Sequence, residues 1–315
     1  MIRAAVALLG LCACLVHAAD APYPAALKPI RVTDRVYYVQ GRPGAASAEN
    51  EGFNSNAGFV ITDDGVVVVD ALGTPVLGEA LLDAIRRITP RPIRRIVVTH
   101  YHADHFYGLA ALKADGAEVW AQERAREYLD GGEAVRRLEQ RSRDLFPWVP
   151  ADMKIVRPDH WVGEHAAFTL GHERFEIEHM GPAHSPEDVI IVVPGEGVVF
   201  VGDVLFAGRI PFVGEADSRR WLERIDALMR LKPRVMITGH GEVSRDPGRD
   251  LALTRDYLRF LRSAMGKAVE EFVPFDEAYA KTDWSRFSGL PAFDAANRVN
   301  AYGTYLLMEK ELLAR

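Results

Sequence analysis

His100-Tyr101-His102-Ala103-Asp104-His105 directly follows the apolar run Ile96-Val97-Val98-Thr99, and the two together decide how the chain folds. A short apolar run ending in polar residues reads as a buried strand, so these four metal-binding side chains sit where a strand gives way to a loop. Residues i and i+2 of an extended segment point the same way, so His100 and His102 can hold one cation. As the chain turns, Asp104 and His105 are aimed at a second. The spacing lacks the helical pair of His at i and i+4 with an intervening Glu, which argues against a zincin-type protease.

Upstream, Val36-Tyr37-Tyr38-Val39, Gly58-Phe59-Val60-Ile61 and Val66-Val67-Val68-Val69-Asp70 read as short strands, with Asp63-Asp64-Gly65 as a hairpin turn. Val76, Leu77, Leu81, Ile85 and Ile88 share one helical face, and Pro90 and Pro92 end that helix before the strand leading to His100. Downstream, Gln122 to Leu145 is a helical stretch that Gly131-Gly132 divides. A second β-rich block follows: Ala167-Phe168-Thr169-Leu170, Phe175-Glu176-Ile177-Glu178, Val189 to Val193 and Val198 to Val201. Ser218 is expected to cap a helix running to about Met229, and Val235-Met236-Ile237 is a further buried strand. Asp246-Pro247-Gly248 marks a boundary before a long helix with Leu251, Leu258, Leu261 and Met265 at helical spacing. The remainder to Arg315 is helical, interrupted at Pro274, Ser288-Gly289 and Pro291. Strands followed by βαβ alternation give an α/β fold with a helical tail.

A chain of 315 residues with 48% hydrophobic and 26% charged residues can bury a substantial core. Its net charge of −6, with both signs interspersed, leaves no basic run to neutralise a phosphate backbone, so nucleic acid is not an expected partner. Met1-Ile2-Arg3 followed by the apolar stretch Ala4 to Val16 and by Val16-His17-Ala18 reads as a secretory signal peptide over residues 1–18, and hence as a periplasmic or secreted protein. No later segment is long and apolar enough to span a membrane. Both cysteines, Cys12 and Cys14, lie in that leader, so the mature chain has no thiolate to offer a metal. The shell must be His and carboxylate.

Three later positions repeat the context of His100, each where a strand gives way to a loop. These are His184 in Gly181-Pro182-Ala183-His184-Ser185, Asp203 after Val199-Phe200-Val201-Gly202, and His240 after Val235-Met236-Ile237-Thr238-Gly239. Functional groups of open α/β structures gather outside the carboxyl ends of strands, so these loops are expected to converge. The expected assignment puts His100, His102 and His184 on one metal and Asp104, His105 and His240 on a second, with Asp203 bridging. Zinc accepts imidazole and carboxylate ligands and lowers the pKa of a bound water to about 7, so two Zn2+ ions sharing a hydroxide would perform metal-assisted hydrolysis, with Asp104 and Asp203 as the carboxylates at the reacting centre. Iron or manganese are the alternative metals. The isolated His160, His165, His172 and His179 lack ligand spacing and read as ordinary surface or core residues.

The set His100-Tyr101-His102-Ala103-Asp104-His105, His184, Asp203 and His240, in that order, resembles the signature of the metallo-β-lactamase superfamily, and Asp70 after its valine-rich strand resembles that family's first motif. The resemblance covers roughly Arg31 to Glu242. It implies a four-layer αββα sandwich over residues 30–245 with a dinuclear site at one edge, a helical extension over 246–315, and Asp70 behind the ligands. An Asp at the position of Asp203 is characteristic of glyoxalase II and many other hydrolases of the superfamily, whereas its true β-lactamases generally have Cys or a non-ligand there. The leader, the Gly181-Pro182-Ala183-His184-Ser185-Pro186 loop and the tail together are most similar to exported metallohydrolases associated with quinoprotein and sulfur-oxidation systems.

Phe206, Arg209 and Phe212, soon after Asp203, are candidates to line the pocket, with Arg209 meeting an anionic substrate. Asn56, with Asn54, is a candidate substrate contact from the loop before the second strand, and Tyr302 and Tyr305 are tail residues to locate. The leading expectation is an exported dinuclear zinc hydrolase of a small ester, thioester or lactone. One alternative is a metallo-β-lactamase. Another is a mononuclear iron persulfide dioxygenase using His100, His184 and Asp203, and a non-catalytic metal-binding protein comes last. The tail between Arg249 and Arg315 has no basic set matched to glutathione, which leaves pocket closure or a homodimer contact as its roles.

Overall fold

The computed structural model describes residues 26–113, 116–214 and 216–314. Residues 1–18, with Cys12 and Cys14, lie outside the described residues. The first half contains β1 (Ile30–Arg31), β2 (Val36–Val39), β3 (Ala57–Thr62), β4 (Gly65–Val69), α1 (Pro75–Ile88), β5 (Ile93–Val97), α2 (Ala103–Phe106), α3 (Leu109–Lys113), β6 (Glu118–Gln122), α4 (Ala125–Asp130), α5 (Glu133–Asp144) and β7 (His160–Val162). The second contains β8 (His165–Leu170), β9 (Glu173–His179), β10 (Val189–Val193), β11 (Val198–Phe206), α6 (Ser218–Arg230), β12 (Val235–His240), α7 (Pro247–Glu270), α8 (Phe275–Lys281) and α9 (Phe293–Leu313). They form one sheet in the order β1-β2-β3-β4-β5-β6-β7 and another in the order β12-β11-β10-β9-β8.

Side-chain alternation makes the layers. In β4, Val67 and Val69 face the second sheet, where they meet residues such as Phe175, Ile191 and Phe200. Val66 and Val68, one residue out of phase, face α1 and pack with Leu77, Leu81 and Ile85. In β11, Val198 and Phe200 join the inter-sheet core while Val199 and Val201 join Trp221, Leu258 and Leu261 on the helical side. Three apolar layers between four layers of structure give the αββα sandwich that the strand pattern implied.

Several boundaries differ in detail. Ser218 is the first helical residue of α6, and the cap is Asp217, whose carboxylate accepts the Arg220 amide at 3.0 Å. β11 continues beyond Val201 to Phe206, with its pairing to β12 irregular around Gly202, whose φ is 50°. Asp203 therefore lies within a strand, just past a bulge that re-aims it. Helices α7 to α9 build on the same apolar layer as α6 and β11, with Leu251, Tyr257, Leu258, Leu261 and Met265 at most 1% exposed.

Candidate metal centre

The two sheets meet at the edge where β4, β5, β11 and β12 end. Val189 N bonds Thr99 O at 3.0 Å, tying the start of β10 to the segment between β5 and His100. The turn after β4 interlocks with the ligand loop through Asp70 N to Val97 O at 3.0 Å and Ala71 N to His105 O at 2.7 Å. This fold-back needs Asp70 and Leu72 at φ 62° and 67°, a region that Asp tolerates and Leu adopts only under tertiary constraint. Gly108 lets the turn close, because a Cβ there would stand 2.0 Å from Ala71 O and 2.7 Å from Gly78 Cα.

The structure brings all seven expected ligands together. The ligand atoms of His100, His102, His184 and Asp203 lie within 4.8 Å of one another, as do those of Asp104, His105 and His240. His184 Nε2 is 2.8 Å and His100 Nε2 3.1 Å from His102 Nδ1. Asp203 stands between the groups: Oδ2 is 3.3 Å from both His184 Nε2 and His240 Nε2, and Oδ1 is 3.5 Å from His105 Nε2. His240 Nε2 is also 3.4 Å from Asp104 Oδ2. Two atoms each bound at roughly 2.0–2.1 Å to a tetrahedral ion lie about 3.3 Å apart, so these spacings suit such an ion.

Hydrogen bonds behind the imidazoles fix which nitrogen faces inward. His184 Nδ1 donates to Phe212 O at 2.9 Å and His240 Nδ1 to Asn54 O at 2.7 Å, leaving both Nε2 atoms as acceptors. Thr99 Oγ1 gives its proton to Asp70 Oδ2 at 2.9 Å, so it accepts from His100 Nδ1 at 3.0 Å. Asp70 Oδ2 also meets His105 Nδ1 at 2.9 Å, and Oδ1 accepts the Thr99 amide at 2.8 Å. Asp70 thus orients His105 directly and His100 through Thr99. Asn54 Nδ2 steadies Asp104 Oδ2 at 3.0 Å, and Ser55 Oγ bonds the Asp104 carbonyl.

The electrostatics of the metal-free cluster follow from burial and crowding. Burial, reinforced by its imidazole neighbours, holds His100 well below its ordinary value, and burial pushes His102 down to about 4 and His184 to about 3. Burial works against ionising Asp203, yet His240, His105 and His184 keep it well below the usual carboxylate range; His105 and His240 do the same for Asp104. Burial opposes a charge on His105 too, but Asp203, Asp104 and Asp70 outweigh it and raise His105 to about 10.

The donors fit a divalent metal on their own evidence. His105 Nε2 and Asp203 Oδ1 are buried and, among the described residues, have no hydrogen-bond partner. Such orphans in the midst of imidazoles and carboxylates are costly unless a cation satisfies them.

The centre forms the floor of a cavity of about 180 Å3. Phe206, Arg209 and Phe212 line it, with the Phe206 ring stacked on His240 at 5.3 Å. Asn56 does not reach it, which corrects its reading as a substrate contact. Its amide is spent on Thr238 O at 2.8 Å, Gly241 O at 2.9 Å and the Gly41 N–H at 2.9 Å, fastening the start of β3 to the end of β12. Asn54 is the asparagine on the cavity wall. Tyr305 bonds Val273 O, and Tyr302 packs on Phe275; the tail instead reaches the cavity through Ala292, Ala295 and Ala296.

Sequence reasoning missed several supports. Thr99 looked like the end of an apolar run. Glu187 Oε1 accepts the Tyr101 amide at 3.1 Å, and Asp188 takes the amide and hydroxyl of Ser185, so this acidic pair braces the loops of both His100 and His184. Two carboxylates three and four residues after a ligand histidine were the available signal. His179 is no ligand, but its Nε2 holds Pro186 O in the His184 loop at 2.9 Å.

A sequence profile described as the Metallo-beta-lactamase superfamily matches residues 50–240, a span that contains every grouped His and Asp. The chain is 22% identical over 195 residues to a metallo-beta-lactamase type 2 of Elizabethkingia meningoseptica, covering 60% of this chain and 70% of that one. It is 28% identical over 199 residues to the hydroxyacylglutathione hydrolase GloC of Haemophilus influenzae, covering 60% and 86%. Among solved structures, the inverting sec-alkylsulfatase Pisa1 from Pseudomonas sp. superposes with a TM-score of 0.69 at 20% identity. That match covers 89% of this chain and 50% of the other, and it is a likeness of fold.

Proposed function

We propose that this chain, which belongs to the metallo-beta-lactamase superfamily, works as a dinuclear zinc hydrolase of small esters, thioesters or lactones. Metal-dependent hydrolysis is the work of this superfamily, and the finer assignment rests on one observation: the Asp203 carboxylate lies 3.3–3.5 Å from imidazole nitrogens of both ligand groups. His100, His102 and His184 would hold one ion, Asp104, His105 and His240 the other, and Asp203 both. Bound there, such ions supply Lewis acidity and bring the pKa of water from 15.7 to about 7.

The chain's own residues prepare the site for that chemistry. Asp70 and Thr99 hold two imidazoles in the tautomer that presents Nε2, and the Phe212 and Asn54 carbonyls do so for His184 and His240. Phe206, Phe212 and the alanines of the tail give the cavity an apolar portion of wall, and water excluded there strengthens electrostatic interactions beside it. Export belongs to the same proposal, supported by the composition of residues 1–18; among the described residues no helix is long and apolar enough to cross a membrane. N-terminal sequencing of the protein from its own host, beginning after Ala18, tests that part.

Metal analysis of the purified protein should find close to two zinc ions per chain. Chelation should abolish thioester and ester hydrolysis, and an Asp203→Ala variant should lose the second ion. Activity in metal-free protein sinks the reading, as does one iron per chain with oxygen uptake on a persulfide. A β-lactamase is the second reading, favoured by the similarity to the Elizabethkingia meningoseptica enzyme. Nitrocefin turnover matching ester turnover would put it first.

A further inference from the structure

The cavity above the metal centre carries positive charge that the ligand set does not account for. Arg209, from the loop between β11 and α6, is 8% exposed, and its Nε is buried without a hydrogen-bond partner. Its one hydrogen bond runs from Nη1 to Gly44 O at 3.4 Å, long for such a bond, and among the described residues no carboxylate lies within ion-pairing distance of it. Arg137 and Arg141, one turn apart on α5, line the same cavity. The Arg137 side chain donates to Gln140 Oε1 at 3.0 Å and lies 3.8 Å from Glu133, while among the described residues the Arg141 side chain makes no hydrogen bond or ion pair. The Phe206 ring, 5.8 Å from the Arg209 guanidinium carbon, is the aromatic neighbour of Arg209, but a buried guanidinium without a carboxylate partner is costly, and its planar fork suits oxyanions held two atoms at a time.

Apart from the metal-binding residues and Asn54, the rest of the wall is apolar, with Phe206, Phe212 and the alanines at the start of α9. A cavity of about 180 Å3 is on the order of ten times the roughly 10–15 Å3 that a single water requires, enough for a short chain between the metal-binding residues and Arg209. We propose that Arg209, with Arg137 and Arg141, recognises a fixed anionic group on the substrate, a carboxylate or sulfonate carried at the end of a short apolar chain away from the bond that is cut. The proposal rests on the hydrolase reading for its reaction, but it concerns residues that hold no metal.

The test compares p-nitrophenyl pentanoate with the p-nitrophenyl monoesters of glutarate and of 4-sulfobutyrate, which share a leaving group and differ in the terminal charge. For the zinc-loaded protein kcat/KM should favour the anionic esters by on the order of tenfold or more, as expected for charge-assisted bonds to a buried guanidinium. Carboxylate and sulfonate arms show which oxyanion fits better. Arg209→Met should collapse that preference toward one, Arg209→Lys should restore part of it, and Arg141→Met should reduce it partway, with metal content measured for each. A purely structural Arg209 predicts equal losses on all three esters, and that result overturns the proposal. Glutarate binding to the metal-free protein, followed by calorimetry, should weaken at least tenfold in Arg209→Met; unchanged binding also overturns it. If the loaded protein cleaves none of the esters, the hydrolase reading fails, and the glutarate measurement decides the arginine site alone.

Discussion

Replacing Gly239 by alanine puts a methyl carbon 2.0 Å from Asp203 Oδ1 and 2.9 Å from the Gly202 carbonyl carbon. A carbon and an oxygen that are not bonded keep about 3.2 Å apart, so the Asp203 carboxylate must yield by about 1 Å or rotate away. Rotation is the easier response, because the neighbouring backbone is fixed by β11–β12 pairing and by Asn56 N bonded to Gly239 O at 2.7 Å. Overpacking of this kind costs about 1–3 kcal/mol, which leaves the sandwich folded. The centre has no such tolerance, since ligand distances must hold within about 0.2 Å and a 1 Å displacement costs about 100-fold in rate. Gly239→Ala is therefore expected to melt within several degrees of wild type, to lose one or both metals on dialysis, and to fall about 100-fold in thioester kcat/KM. Metal analysis, thermal melts and a thioester assay on the same preparation measure all three. A variant that keeps its full metal complement and wild-type kcat/KM would show that Asp203 does not hold the metals from its position beside Gly239.

Asp70→Asn should lower metal affinity by about 10–100-fold while touching no ion, because it weakens the partner of both His105 and the Thr99–His100 pair; competition with a zinc chelator reads this out. In the metal-free protein His102 and His184 resist protons that the unfolded chain takes up below about pH 6.5, so stability should fall from there toward pH 4. His105, raised to about 10, contributes stability that is full below about 6.5 and lost as pH rises through 10, so a calorimetric pH series in EDTA should peak near pH 6.5. Ending the chain at Asp246 strips Leu251, Tyr257, Leu258, Leu261 and Met265 from the core. At about 2 kcal/mol each this removes about 10 kcal/mol, comparable with the stability of a whole domain, so the product should be insoluble or bind hydrophobic dye.

The fold and the ligand set were legible because each rests on a local signal. Alternating valines in β4 divide between two cores only if helices cover one face and a second sheet the other, and His100 to His105 announce themselves by density. What escaped reading depends on tertiary placement. An arginine on the polar face of α5 looks like any solvated charge, and only the fold carries Arg137 and Arg141 over the metal cavity. Asn56 and Asn54 stand in the same turn-rich company, and nothing local tells the one that ties backbone from the one that steadies Asp104. Asn297 and Asn300 left a fainter trace: asparagine is disfavoured inside a helix, so two of them a turn apart in α9 implied buried partners.

Those partners give the tail its role at the site. Asn300 Oδ1 accepts the amides of Val213 at 2.7 Å and Gly214 at 3.2 Å, and its Nδ2 donates to Pro211 O at 2.7 Å and to the Tyr257 hydroxyl at 3.0 Å. Ile210 N bonds Pro291 O at 3.1 Å just before α9 begins. The loop pinned between these contacts carries Phe212, whose carbonyl fixes the His184 tautomer, and begins beside Arg209. The helices therefore do more than cover the apolar face of β11. They hold the segment that orients one ligand and presents the unpaired guanidinium, and they supply the alanine wall opposite the metal floor. The sandwich and its grouped His and Asp residues set the available chemistry, while on the proposed reading substrate selection lies where the loop and the tail meet, so that a substitution there is expected to change selectivity without removing a metal ligand.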